Sequence, residues 1–61
     1  MNKSTESICK EWQSELTRTQ GPSAPKVEIS DQMLVCQDHW YTQTRVMEMI
    51  ERLKSKPDFA A

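Results

Sequence analysis

Hydrophobic residues recur at a helical spacing near the start of the chain. Ile8, Trp12 and Leu16 are each four residues apart, and the positions between them are mostly polar. This spacing places the three apolar side chains along one stripe of an α-helix. Gly21 is the only glycine and is followed by proline, a pair that ends helices. The pattern therefore predicts an amphipathic helix over about residues 4–20.

Polar and apolar residues alternate after a proline-containing linker at residues 21–25. Val27 and Ile29 then lie on one side of a predicted strand over about residues 26–30. We recognise no second strand in the sequence, and a lone strand leaves its backbone donors and acceptors unpaired. A twofold axis through Glu28 would place Val27 opposite Ile29. The segment therefore predicts pairing with the same strand of a second copy.

The rest of the chain predicts one long helix over about residues 31–56. Ser30 is a good N-cap, and Pro57 would end the helix. Apolar side chains occur on more than one side of this helix, because further apolar residues widen a stripe at three-four spacing. The stripe consists of Met33, Cys36, Trp40, Met47 and Ile50. Residues 57–61 are predicted to be a frayed tail.

The apolar surface of the long helix is wider than the short first helix can cover. A chain of 61 residues makes one small domain, here residues 1–61, and such domains are marginal unless disulfides, a metal or association add stability. We therefore predict a mainly α fold: a helix–strand–helix protomer in an intertwined homodimer, with strands paired across the twofold. The residues expected at the dimer interface, or in a groove beside it, are Trp12, Val27, Ile29, Met33, Trp40, Met47 and Ile50. A groove of this kind could bind an amphipathic helix of another protein.

Charge and composition narrow the function classes. The formal net charge is −1, which argues against affinity built on many phosphate contacts. The sequence contains no apolar run long enough to span a membrane. Cys9 and Cys36 follow no recognisable signal peptide, so we expect reduced thiols in a cytosolic setting.

Cys36 and His39 are the strongest candidates for chemistry. Their spacing on a helix would supply half of a zinc site, but the sequence offers no convincing third and fourth ligands. We expect Cys36 to be a core residue and His39 a surface residue. No Gly-rich segment suggests an oxyanion hole or a substrate cleft. The sequence therefore predicts no catalytic residues, no metal and no cofactor.

DNA binding is the alternative hypothesis. Trp40 and Tyr41 could stack on bases, and a strand followed by a helix in a small dimer is similar in outline to ribbon-helix-helix repressors. Those repressors have two helices after the strand, whereas here one precedes it and one follows. The chain's eight cations are also interspersed with nine acids. A small dimeric DNA-binding regulator is therefore the second choice.

The succession of segments resembles a known group of viral proteins. It comprises a helix carrying Ser7-Ile-Cys-Lys-Glu-Trp12, a Gly-Pro break, the segment Pro25-Lys-Val-Glu-Ile-Ser30 and a long helix beginning Asp31-Gln-Met-Leu. This order resembles the small early proteins of lambdoid bacteriophages, encoded between the exonuclease and excisionase genes.

The resemblance has functional implications. It implies a homodimer of two helices and one strand per chain, made early in infection and acting in the host cell cytoplasm. It also implies a pro-lytic role in which the protein favours lytic over lysogenic development and binds a host protein without catalysis. The resemblance assigns no active-site residues.

Overall fold

Two helices and a three-stranded antiparallel sheet form the computed structural model of the chain, which describes residues 4–60. The elements are α1 (Thr5–Gln20), a 3-10 helix (Gly21–Ser23), β1 (Val27–Ser30), β2 (Met33–Cys36), β3 (His39–Tyr41) and α2 (Gln43–Lys54). The sheet order is β1-β2-β3. Helices hold about half of the chain, so the expected mainly α class describes the fold only roughly.

The predicted first helix is confirmed. The Ser4 hydroxyl accepts a hydrogen bond from the backbone N–H of Ser7 at 3.1 Å and caps the helix N-terminus. Ile8, Trp12 and Leu16 are all buried, as their spacing predicted. Helix α1 therefore supplies one stripe of the core.

The predicted strand is also confirmed, but its pairing differs from the expectation. Strand β1 pairs with β2 of the same chain, so that Val27 lies opposite Cys36 and Ser30 opposite Met33. The expectation that the chain contains no second strand was wrong. Strand β1 is therefore not a lone strand, and pairing with a second copy is not needed to explain it.

The predicted long helix was wrong over its first part, because residues 33–41 form β2 and β3. Buried Leu34 alternates with partly exposed Met33 and Val35, which is the period of a strand. Helix α2 begins only after Thr42, whose hydroxyl accepts a hydrogen bond from the N–H of Arg45 at 3.1 Å. The stripe predicted from three-four spacing thus combined residues of strands β2 and β3 with residues of helix α2.

Two tight turns make the sheet possible. The β1–β2 turn holds Asp31 at φ 50° and Gln32 at φ 61°, and the β2–β3 turn holds Gln37 at 52° and Asp38 at 66°. Positive φ at both central residues is the signature of a type I′ turn, the two-residue turn that matches the twist of a hairpin. Neither turn contains glycine, the residue that usually indicates this geometry in a sequence.

The core lies between the helices and one face of the sheet, called here the inner face. Its buried residues are Ile8, Trp12, Leu16, Val27, Leu34, Cys36, Val46 and Ile50. The Trp12 ring meets the Tyr41 ring edge to face at a centroid distance of 5.3 Å. Both helices therefore cover the same face of the sheet, and the other face has no layer over it in the described chain.

The C-terminal residues are docked rather than frayed, contrary to expectation. The Arg18 guanidinium donates hydrogen bonds to the carbonyl oxygen of Lys56 and to Oδ1 of Asp58, both at 2.8 Å. The backbone N–H of Phe59 donates to the carbonyl oxygen of Arg18 at 2.7 Å. These contacts fasten the segment after α2 to the end of α1; the final residue lies outside the described residues.

Relaxing the first turn should stabilise the fold. A non-glycine residue in the left-handed region costs about 1–2 kcal/mol, and glycine avoids that strain. We expect Gln32→Gly to raise the free energy of unfolding by about 0.5–1 kcal/mol, measured by urea denaturation. Gln32→Ala keeps the Cβ strain and should give no gain. Equal stability of the glycine and alanine variants would contradict the turn geometry.

Gly21 should tolerate no side chain while Phe59 is present. Its φ of 77° and ψ of −156° lie in a region that essentially only glycine adopts, and a Cβ would lie 2.6 Å from the Phe59 ring. We expect Gly21→Ala to cost more than about 1 kcal/mol of unfolding free energy. The same change in a Phe59→Ala background should cost less, because only the backbone strain remains. Equal costs in both backgrounds would contradict the docked position of Phe59.

Candidate functional site

The uncovered face of the sheet is the candidate site. Leu34 and Cys36 point to the inner face, so the alternate residues of β2 point outward. The strand register places Glu28, Val35 and Trp40 in one row across this side. We call the following five residues the outer surface: Glu28, Ser30, Met33, Val35 and Trp40.

The outer surface is apolar at its centre. The Trp40 side chain is 54% exposed although it stands in the middle of a strand. Val35 and Trp40 form a non-hydrogen-bonded pair, the kind in which opposite side chains approach most closely. Met33 lies beside them and is half-buried. Exposed apolar side chains grouped in this way are typical of protein contact sites.

The β1 edge of the sheet is covered at Val27. The backbone N–H of Val27 donates to Oε1 of Gln13 at 2.7 Å, and Nε2 of Gln13 donates to the carbonyl oxygen of Pro25 at 2.9 Å. The Cys9 thiol donates weakly to the carbonyl oxygen of Val27 at 3.8 Å. The Gln13 amide thus takes the place that a neighbouring strand would occupy.

The β3 edge is open. A two-residue turn makes Cys36 and His39 a hydrogen-bonded pair, so the next pair, Val35 and Trp40, is not hydrogen-bonded. The backbone N–H and C=O of Trp40 therefore point away from β2. Within residues 4–60, neither group has a hydrogen-bond partner. The most exposed apolar residue of the outer surface thus also lies on the open edge of the sheet.

Three of the predicted interface residues serve the chain's own core. Trp12, Val27 and Ile50 are 4%, 6% and 2% exposed. They pack between the helices and the inner face, so their own chain already covers them. They were expected at an interface because the predicted long helix was too wide in its apolar surface for one chain to cover.

The other four predicted interface residues are accessible but lie in three places. Met33 and Trp40 share the outer surface. Ile29 lies at the margin of the inner face and is 41% exposed, and Met47 lies on α2 and is 44% exposed. Sequence reasoning missed Val35, which the alternation within β2 would have placed beside Trp40.

A small cleft lies between the two helices of the chain. It measures about 220 Å³ and is lined by Glu11, Met47, Ile50 and Glu51. Nζ of Lys54 lies 3.2 Å from Oε2 of Glu11 and 3.2 Å from Oε2 of Glu51, so an ion pair crosses its rim. Ligand pockets usually exceed about 300 Å³, and a docked helix needs more room than that. The cleft is therefore a poor candidate for a helix-binding groove.

The two thiols and the histidine show no arrangement for chemistry. Burial raises the pKa of the Cys9 thiol and of the Cys36 thiol, which lowers their reactive thiolate fraction at neutral pH. Cys36 is buried on the inner face, whereas His39 is exposed with Nδ1 2.9 Å from the carbonyl oxygen of Gln37. Over residues 4–60, no three His, Cys, Asp or Glu residues are grouped as metal ligands.

Comparison of the chain with protein-family models, with curated proteins and with solved structures gave no match. In the part of the chain that the structure describes, no helix is long and apolar enough to cross a membrane. The outer surface is therefore interpreted from its own geometry.

Removing the Gln13 amide should open the β1 edge. Gln13→Ala leaves the buried N–H of Val27 without a partner, which costs about 1–3 kcal/mol of unfolding free energy. We expect the Val27 amide to exchange its hydrogen faster in this variant. Gln13→Glu keeps an oxygen acceptor for Val27 and should preserve most of that protection. Unchanged exchange at Val27 in the alanine variant would show that Gln13 does not cover the edge.

Proposed function

We propose that this protein is a small, non-catalytic regulator that acts by contact with other proteins, and that the outer surface is its contact site. The observation that carries the proposal is the position of Trp40, which is 54% exposed on a sheet face with no covering layer in the described chain. A large aromatic side chain in such a place is typical of residues that dominate binding energy at interfaces.

The construction of the outer surface supports this proposal. Strands on a packed core hold Trp40, Val35 and Met33, so little conformational entropy is lost when a partner binds. Tryptophan also provides a large contact area with few rotatable bonds. Glu28 adds a charge at one side, which can orient a partner but contributes little affinity of its own.

We further propose a biological role in phage development. The resemblance to small early proteins of lambdoid bacteriophages supports a role in promoting lytic development or host takeover. That role would be carried out in the host cell cytoplasm through a host protein. We also propose that the protein is a homodimer, because its exposed apolar residues suit self-association.

The geometry counts against the DNA-binding alternative. None of the five side chains of the outer surface is Lys or Arg, and one of them, Glu28, is acidic. Duplex DNA would meet a negative charge where strand-type readers present donors to bases and phosphates. Protein contact is therefore the better-supported function.

A charge at the centre of the outer surface should abolish the proposed activity. The test introduces Val35→Lys on the central strand, with Met47→Lys on α2 as the matched control. Bacteria that express each variant are infected with a temperate lambdoid phage, and lysogeny is scored. We expect the unchanged protein and Met47→Lys to lower the frequency of lysogeny, and Val35→Lys to leave it at the level of cells without the protein. If Met47→Lys alone lost the effect on lysogeny, the contact site would lie on α2 instead.

Binding to duplex DNA should be weak and independent of sequence. Fluorescence anisotropy of a labelled duplex at low and raised salt measures this directly. A DNA-binding regulator loses affinity steeply as salt rises, because each phosphate contact releases counterions. Tight binding that weakens in this way would replace the protein-contact proposal by the DNA-binding one.

A further inference from the structure

We infer that two copies of this chain associate through their β3 edges, with the backbones of the two Trp40 residues hydrogen-bonded to each other. This inference rests on the proposed homodimer and specifies its interface. The two sheets would join into one continuous antiparallel sheet in the order β1-β2-β3-β3-β2-β1. This arrangement differs from the pairing through β1 that the sequence suggested, because side chains of α1 already bond the outward backbone groups of Val27 on the β1 edge.

The backbone of β3 is arranged for such pairing. The N–H and C=O of Trp40 both point outward from the sheet, and His39 and Tyr41 bond inward to β2. A twofold axis at Trp40 would let each Trp40 donate its N–H to the C=O of the other. The Trp40 N–H and C=O, which lack hydrogen-bond partners in a single chain, would thus be hydrogen-bonded in the dimer.

The side chains beside the axis are compatible with that register. His39 of one copy would lie opposite Tyr41 of the other, and Asp38 opposite Thr42. No two like charges face each other, which is the arrangement that destabilises cross-strand pairs. Aromatic residues on neighbouring strands attract each other, so the strand is complementary to itself.

The contrast between the two edges supports the choice of β3. Natural proteins protect sheet edges with lysine, proline, bulges or a covering segment. The β1 edge is covered by Gln13, whose amide bonds to both Pro25 and Val27. Strand β3 reads His39-Trp40-Tyr41 and has no lysine, proline or bulge, and its outward groups have no partner within residues 4–60. At the β1 edge the outward backbone groups of Val27 are bonded within the chain, whereas at the β3 edge those of Trp40 are left to a second copy.

Pairing at β3 would also enlarge the outer surface. The three-stranded sheet of one chain is two strand spacings wide, or about 10 Å, whereas the joined six-stranded sheet would be five spacings wide, or about 24 Å. Both Trp40 side chains would lie on the same face, next to each other. The dimer would therefore present a continuous face more than twice as wide as that of one sheet, with the exposed apolar side chains of two copies side by side.

The association should be reversible and dependent on concentration. Strand β3 has three residues, so the interface is short and falls below the area of a stable dimer. Sedimentation across a dilution series of the full chain should show monomer and dimer in exchange. Hydrogen exchange at the Trp40 amide should slow as the dimer forms.

Proline substitution tests the edge directly. Trp40→Pro removes the outward N–H, and proline is tolerated on an edge strand where that group faces away from the sheet. Ile29→Pro is the matched control, because the Ile29 N–H also points outward, but from the β1 edge. Trp40→Ala separates the side chain from the backbone, since it keeps the N–H. Circular dichroism confirms that each variant is folded.

The outcomes distinguish the inference from the proposed function. We expect Trp40→Pro to raise the dimer dissociation constant at least about tenfold, Ile29→Pro to leave it unchanged and Trp40→Ala to fall between them. If Trp40→Pro does not weaken the dimer, or if both proline variants weaken it equally, the assignment of the interface to β3 is overturned. The homodimer itself would still stand. A chain that stays monomeric at all concentrations would overturn both. The lysogeny assay decides the protein-contact function separately.

Discussion

The left-handed backbone of two short turns is the constraint on which the sheet depends. Four residues, Asp31, Gln32, Gln37 and Asp38, hold positive φ without the freedom of glycine. If these residues relaxed into the right-handed region, the two-residue turns would no longer match the twist of the flanking strands, and the hairpins would splay. Core packing outweighs this cost, because the turns bring Leu34 and Cys36 onto the inner face and leave Val35 and Trp40 on the other.

The sequence predicts the parts of the fold that local patterns determine. Ile8, Trp12 and Leu16 mark a helix because their spacing, the cap before them and Gly21 after them all agree. Strand β1 follows from strict alternation. The region after it is ambiguous, since Met33, Trp40 and Met47 fit a helix while the short apolar run Met33-Leu-Val-Cys36 also suits a strand. Tertiary packing decides between such patterns, and without Asn-Gly or Asp-Gly the turns gave no sign of the hairpins.

The candidate site was predictable only in part for the same reason. Met33 and Trp40 were expected at a contact surface and lie together on the outer surface. Trp12 and Ile50 were expected with them but are buried in the core. On one long helix Met33, Trp40 and Ile50 would share one side, whereas in a meander the face of each residue depends on the register. Once the register is known, the sheet separates into an inner face that stabilises the chain and an outer surface available for binding.

The position of Gln13 has a consequence for how the chain folds. The hairpins can form from neighbouring residues within microseconds, but the amide that covers the β1 edge is carried by another element and arrives only when α1 packs. Until then the nascent sheet has two exposed edges, and collisions with other newly made chains can extend it into aggregates. Early docking of α1 therefore protects solubility during synthesis as well as stability afterwards. A chain in which α1 packs slowly would be prone to aggregation when the protein is synthesised rapidly and in large amounts.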